Sequence, residues 1–206
     1  MNKIVKEALV LMAITLVSGL LLGAVYSITK QPIAQAEKKA QKEAYLAVFP
    51  DAQDLTEPDN KEELLAKAAD VLAGAGFSTG DTLEDFYLAE KDGTVTGVVM
   101  NITSHEGYGG DINFSMGVNT NGTVTGVEML SLSETAGLGM RAKDEEFKGQ
   151  FAGKTADQFV VTKNGASADN EIDAISGATF TSKAVTNGVN AGLCFYESLK
   201  EGGILQ

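Results

Sequence analysis

Ala8 to Thr29 contains no charged residue, and this run constrains the chain more than any other feature. It reads ALVLMAITLVSGLLLGAVYSIT, with Tyr26 and Lys30 where an interface anchor belongs. As a helix rising about 1.5 Å per residue, it crosses a hydrocarbon core of roughly 30 Å. A cleaved signal peptide is the competing reading, because Ala34-Gln35-Ala36 looks like a small-residue cleavage site. The run is longer than the roughly 7–15 apolar residues of a signal sequence, which favours a retained single-pass anchor. Gly19 and Gly23 form a Gly-xxx-Gly pair that permits close packing against another membrane helix. It is equally at home in any helix rich in small residues.

Lys3 and Lys6 precede the span, and Lys30, Lys38, Lys39 and Lys42 follow it. A short N-terminus before a long acidic domain fits an N-terminus inside and a domain outside. The expected organisation is a cytoplasmic N-terminus (1–7), a transmembrane anchor (8–29), a helical linker region (30–83) and a folded domain (84–206).

Net charge is −12, from 16 basic and 28 acidic residues. Three Lys and one Glu fall within residues 1–30, so the remainder holds 13 basic and 27 acidic residues, a net of −14. Such a surface repels nucleic acid. A single cysteine, Cys194, and a single histidine, His105, leave no Cys/His metal site, iron–sulfur ligation or Cys-attached haem. No nucleophile-elbow motif supports a triad using His105. No catalytic residue and no metal ligand set is therefore assigned, and redox chemistry would have to come from a cofactor held without cysteines.

Residues 31–49 read as a helix ending before Pro50, with Ala40, Ala44 and Val48 on one face. Asp51–Asn60 reads as a polar loop. Asn60 is a candidate cap for a second helix, with Glu63 at the capping-box position and Leu64, Ala68 and Val71 on its face. Strands follow. Gly93-Thr-Val-Thr-Gly-Val-Val-Met100 recurs as Gly122-Thr-Val-Thr-Gly-Val-Glu-Met129. Each copy follows a turn signal, Asp92-Gly93 or Asn121-Gly122, that joins it to a preceding strand, Phe86–Lys91 or Ile112–Val118. The expected fold is α+β: an antiparallel sheet of two repeated hairpins with flanking helices, plus the N-terminal transmembrane helix. A short helix is expected at Asp144–Phe151 and strands at Gln158–Thr162 and Glu171–Ile175. A final helix is expected at Lys183–Lys200, entered at Ser182, with Val185, Val189, Leu193 and Tyr196 inward. Cys194 reads as a small core or boundary residue.

Each repeat strand runs into a glycine-containing loop. The first is Ser104-His105-Glu106-Gly107-Tyr108-Gly109-Gly110, and the second is Ser133-Glu134-Thr135-Ala136-Gly137-Leu138-Gly139. Equivalent hairpins would bring both loops to one end of the sheet, where glycine allows close approach to a ligand. The stretch Asp173-Ala-Ile-Ser-Gly-Ala-Thr-Phe-Thr-Ser182 precedes the last helix. Without further context it is a turn with Thr181 and Ser182 as N-cap candidates. Small neighbours leave the Thr179 hydroxyl accessible at a helix entrance, where anionic oxygen is favoured.

Asp173 followed by Ser176-Gly177-Ala178-Thr179-Phe180-Thr181-Ser182 resembles the flavinylation motif of the FMN-binding domain family. That family includes the G subunit of the Rnf complex and the C subunit of sodium-pumping NADH:quinone reductase. Gly107-Tyr108-Gly109-Gly110 is similar to its Gly-Tyr-Gly/Ser-Gly-Pro segment, with Asp111 in place of proline. Glu134-Thr135-Ala136-Gly137-Leu138-Gly139 resembles its Glu-Thr-Pro-Gly-Leu-Gly loop beside the flavin, with Ala136 in place of proline. The histidine that often precedes this loop in the family is absent here. The anchor, the following helix and Leu46-Ala-Val-Phe-Pro50 match the layout of the Rnf subunit.

The resemblance implies FMN joined through its phosphate to Thr179 by a separate flavin transferase, with FAD as donor. The matching positions Ser176, Gly177, Ala178, Asp173, Thr181, Ser182, Glu134, Thr135, Gly137, Leu138, Gly139, Tyr108 and Gly109 become candidate cofactor-binding residues. Glu134 is a candidate for lowering the flavin potential through its charge. The implied function is electron transfer as a redox subunit, not a complete enzyme alone, of a membrane complex linking ferredoxin oxidation to NAD⁺ reduction with ion pumping. Its implied partners are the other membrane and redox subunits. The alternatives are a stand-alone extracytoplasmic FMN carrier, a C subunit of a quinone reductase, or an anchored binding module without cofactor.

Overall fold

The computed structural model describes residues 3–77 and 80–205. The chain divides into two units, Met1–Ala40 and Gln41–Gln206. Helix α1 spans Lys3–Val48 and is long and apolar enough to cross a membrane. The side chains of its apolar stretch are exposed, Leu22 and Ile28 among them. The helix expected over 31–49 is thus the tail of α1 and stops at Val48. Pro32 lies inside it without ending it.

The second unit is built on a five-stranded antiparallel sheet of order β1-β2-β3-β4-β5. The strands are β1 Asp54–Thr56, β2 Asp81–Lys91, β3 Thr94–Ser104, β4 Ile112–Asn119 and β5 Val124–Leu132. Together with the flanking helices this is the α+β architecture that the repeat predicts. On the β1 side of this sheet two readings differ from expectation. The segment read as a polar loop contributes β1, which pairs with Leu88–Glu90 at the sheet edge. Short, polar and half-exposed, it carries no alternation to betray it. Strand β2 begins at Asp81 rather than Phe86, because a register shift between Leu83 and Asp85 breaks the period of two.

The repeated sequences do not make identical turns. Asp92 (φ 53°) and Gly93 (φ 73°) form a two-residue turn between Lys91 and Thr94, with both central residues left-handed. In the second hairpin, the Asn119 side-chain oxygen accepts the N–H groups of Asn121 and Thr123 at 2.9 and 3.0 Å. The loop widens to Thr120–Gly122, and only Gly122 (φ 83°) is left-handed. The side chain of Asn119, outside the repeat, decides the difference.

Alternation gives the sheet two faces. Phe86, Val98, Met100, Ile102, Phe114, Met116 and Val118 point inward to the main core. Over them lies helix α4, Thr179–Glu201, with Val185, Val189, Leu193, Phe195 and Tyr196 buried. Phe86 and Phe195 meet edge to face, with ring centroids 5.2 Å apart. On the other face, Tyr45, Val48 and Phe49 pack with Ala89 and Val99. Gly97, Gly117 and Gly126 leave a depression there, and Val48 and Phe49 fill it. A Cβ at Gly97 would lie 2.5 Å from the Phe49 ring, and one at Gly126 would lie 3.1 Å from Val48 Cα.

Helix α2, Lys61–Gly74, buries Ala68 and Leu72. The expected capping box is absent: Asn60 makes no side-chain cap bond, and Glu63 pairs with Lys67 at 2.6 Å. Leu72, rather than Val71, completes its buried stripe. Helix α3 is a single turn, Glu145–Lys148, shorter than the expected Asp144–Phe151 because after the Gly149 N–H bond to Glu145 O the bonds tighten to i−3, as from Gln150 N to Phe147 O. Phe147 and Phe151 still pack edge to face at 5.9 Å. Strands β6, Val160–Thr162, and β7, Glu171–Asp173, form a separate parallel pair. Cys194 is half-buried on α4, a boundary residue as expected.

Candidate functional site

Register brings the two glycine loops together. Ser104 pairs with Ile112, and Ile112 pairs with Leu132, so the loops after β3 and β5 leave the same end of the sheet. The N-terminus of α4 arrives at that end. Between these three segments lies a cavity of about 430 Å³. Tyr108 comes from the first loop, Glu134, Thr135, Leu138 and Gly139 from the second, and Gly177, Ala178, Thr179, Phe180 and Thr181 from the third.

Glu134 ties the first two loops. Its Oε1 accepts the N–H groups of Tyr108 and Gly109, at 2.8 and 3.2 Å. Glu134 is itself buried. A Cβ on Gly139 would lie 2.6 Å from both Glu134 Oε2 and Thr181 Oγ1, so the second loop and α4 meet only because this position is glycine.

The last helix begins at Thr179, not at Ser182 or Lys183 as expected. Ala178 occupies the N-cap without a side-chain cap bond. Thr181 and Ser182 are therefore not caps but residues of the first turn. Ser182 is turned inward. Its Oγ accepts the Ile175 N–H at 2.9 Å and donates to the Ala178 carbonyl at 2.9 Å, closing the turn before the helix. The N–H groups of Thr179, Phe180 and Thr181 precede the first i−4 bond of the helix, Ser182 N to Ala178 O.

The candidate residues thus separate. Tyr108, Glu134, Thr135, Leu138, Gly139, Gly177, Ala178, Thr179 and Thr181 line the cavity. Gly109 contributes a backbone N–H to Glu134, and Gly137 (φ 75°) turns the second loop. Asp173 and Ser176 line a neighbouring cleft of about 350 Å³ with Arg141, Glu146, Phe147 and Gln150. The Asp173 carboxylate accepts the Ala166 N–H at 2.7 Å. Sequence reasoning does not single out Phe180, although it adjoins Thr179. It is 71 % exposed, and Tyr108 is 75 % exposed. Unburied aromatic rings at a cavity mouth are the signal, and they become visible only with burial.

At the root of the first loop, Asp81 pairs with Ser104 in the sheet register and is buried. Burial pushes its pKa up to about 6, opposed by a hydrogen bond from Ser104 and reinforced by the charge of Glu106. Its Oδ1 has no hydrogen-bond partner among the described residues. Glu106 accepts from Asn187 of α4 at 2.7 Å, and His105 lies 2.9 Å from both Thr82 and Asp111.

Residues 107–193 match the FMN-binding domain family, and residues 1–48 match the RnfG N-terminal region. The chain is 31 % identical over 199 residues to the G subunit of the Na⁺-translocating ferredoxin:NAD⁺ oxidoreductase complex of Acetobacterium woodii, covering 95 % of this chain and 93 % of that protein. The chain belongs to the family of Rnf complex G subunits. The G subunit of the proton-translocating complex of Clostridium ljungdahlii is 33 % identical over 173 residues, 84 % of this chain and 80 % of its own. A crystal structure of NqrC from Shewanella oneidensis matches with a TM-score of 0.49 and 20 % identity, over 75 % of this chain and 74 % of that one. The FMN-binding match starts at the first glycine loop and ends within α4, so it contains every residue that lines the cavity.

Proposed function

We propose that this chain is the membrane-anchored, FMN-carrying electron-transfer subunit of an ion-translocating ferredoxin:NAD⁺ oxidoreductase complex, with FMN joined through its phosphate to Thr179. The observation that carries this reading is the place of Thr179 in the first turn of α4. There it forms part of the cavity wall where both glycine loops converge.

The residues fit FMN. A cavity of about 430 Å³ lies within the roughly 300–1,000 Å³ of cofactor pockets. Tyr108, Leu138 and Phe180 give its mouth the apolar surface a ring system needs. The free N–H groups of the first turn favour phosphate oxygen beside Thr179. The exposed Ser176 and Gly177 leave the turn open to a modifying enzyme. FMN supplies the reversible uptake and release of electrons, and the chain supplies tethering, orientation and exclusion of water.

In this reading residues 8–29 span the membrane once, and the folded domain lies on the outside. A dissociable cofactor would be lost there by dilution, and a covalent bond retains it. The other membrane and redox subunits are its partners, and a flavin transferase matures it. Co-expression with such a transferase, followed by denaturing electrophoresis under ultraviolet light, tests the assignment. A fluorescent band is expected for the wild type and none for Thr179→Ala. A band that persists in Thr179→Ala refutes it.

A further inference from the structure

We propose that Gln150 is a positioning residue for flavin attachment, an inference that rests on the reading of Thr179 above. Gln150 lies outside the resembled motif and both glycine loops. Its Oε1 accepts the Asp173 N–H at 2.7 Å, and its Nε2 donates to the Asp173 carbonyl at 3.3 Å. One side-chain amide thus satisfies both backbone groups of the last residue of β7, as a neighbouring strand would. The same Nε2 donates to the Glu146 carbonyl at 3.1 Å, which anchors Gln150 to α3.

On its other side β7 pairs with β6, where Thr162 stands opposite Asp173. The Asp173 carboxylate is held by the Ala166 N–H. Residue 173 is therefore fixed on three sides. Just beyond it, the turn Ile175–Ala178 is closed by Ala178 N–H to Ile175 O at 2.9 Å and stapled by Ser182. The exposed Ser176 and Gly177 lie within this closed turn, and the half-buried Thr179 follows it as the first residue of α4. Gln150 and Ser176 line the same cleft, across the turn from the Thr179 cavity.

Attachment requires Thr179 Oγ to meet the FMN-side phosphorus of FAD held by the transferase. The Oγ–P bond forms, the pyrophosphate P–O bond breaks, AMP leaves, and the hydroxyl proton passes to a base of the transferase. The step depends on the direction in which the turn presents Oγ, so small displacements cost rate. Gln150 touches no reacting atom. It acts by fixing Asp173, the point from which the turn departs.

The test uses the full-length chain purified without flavin, a flavin transferase and FAD, with attachment followed by in-gel fluorescence. Gln150→Ala is expected to lower the attachment rate at saturating acceptor about tenfold, through the loss of the amide pair. The half-saturating acceptor concentration and far-ultraviolet circular dichroism should change little, and the melting midpoint, lowered by a few degrees at most, should stay above the assay temperature. Gln150→Glu keeps the acceptor for Asp173 N–H but sets a carboxylate oxygen against the Asp173 and Glu146 carbonyls, and should be no faster than Gln150→Ala. An attachment rate in Gln150→Ala equal to the wild type overturns the proposal. So does a loss fully accounted for by a smaller folded fraction, with an unchanged rate per folded molecule. Unlabelled wild type, or labelled Thr179→Ala, overturns the reading of Thr179 itself. Labelled wild type, unlabelled Thr179→Ala and wild-type kinetics in Gln150→Ala remove only the role of Gln150.

Discussion

The Glu134 carboxylate accepts the Tyr108 N–H at 2.8 Å across 26 residues of sequence, and so joins the loops that follow the two repeated hairpins. Glu134 therefore has two separable roles, a charge beside the cavity and a clamp on the first loop. Glu134→Gln keeps an oxygen for the Tyr108 and Gly109 N–H groups but removes the charge. Its flavin midpoint potential should rise, by about 60 mV if the charge alters a one-electron equilibrium tenfold. Glu134→Ala removes the clamp as well, and hydrogen exchange at Tyr108 and Gly109 should accelerate. Redox titration of the flavinylated proteins, with exchange measured at those two amides, distinguishes the roles. An unchanged potential in Glu134→Gln would remove the electrostatic one.

Thr179 and Thr181 both line the cavity, so the choice of hydroxyl is testable within one turn of α4. Thr179→Ala should abolish covalent flavin. Thr181→Ala should retain it, because Thr181 is buried against Gly139 while Thr179 is partly exposed beside the open turn. Intact-mass analysis after incubation with transferase and FAD gives the answer, since only attachment adds the mass of FMN less one water.

Asp81 makes stability depend on pH. Its folded-state pKa, about 6, lies above the ordinary aspartate value of 3.8. The folded state thus binds this proton more tightly than the unfolded chain. The resulting stabilisation is complete below about pH 4 and is lost as pH rises through about 6. Two pH units correspond to about 3 kcal/mol, an upper figure for the cost at neutral pH. Asp81→Asn should therefore melt higher than the wild type at pH 7, with the difference vanishing near pH 4. Thermal melts across that range check the sign.

The depression left by Gly97, Gly117 and Gly126 ties the end of α1 to the sheet. Gly97→Ala would press a methyl group against Phe49 and the Val118 carbonyl. Rigid backbone on one side and a packed ring on the other leave little room to relax. A loss of about 1–3 kcal/mol is expected, as for overpacking elsewhere. Phe49→Ala, which empties the depression, should cost about 3–5 kcal/mol. Urea unfolding of both variants measures this, and Gly93→Ala at the exposed hairpin tip reports backbone strain alone.

Much of the architecture was legible because it is periodic or punctuated locally. The uncharged run, the alternation of β3 to β5, the Asp92-Gly93 turn and the apolar stripe of α4 each declare themselves within a few residues. Strand β1 was illegible because its three residues show no alternation and owe their strand form to pairing with Leu88–Glu90 of β2. The start of α4 was misplaced because Thr181 and Ser182 have capping chemistry, and only the turn at Ile175–Ala178 claims the Ser182 hydroxyl. The motif located Thr179, but not which neighbours face the cavity.

The sequence by itself determined a membrane-length apolar helix, two like hairpins, two glycine loops at one end of a sheet, and a threonine at a helix entrance. These follow from spacing, charge and side-chain type along the chain. The tertiary structure alone decided that Asp173 and Ser176 face a different cleft from Thr179 and that Ser182 turns inward. It alone decided that Phe180 stands at the cavity mouth, that Glu134 holds the first glycine loop, and that Gln150 holds the end of β7. Those relationships depend on strand register, on burial, and on specific hydrogen bonds, from Ser182 to Ile175 seven residues away to Glu134 and Gln150, whose partners lie more than twenty positions off, and no local pattern encodes them.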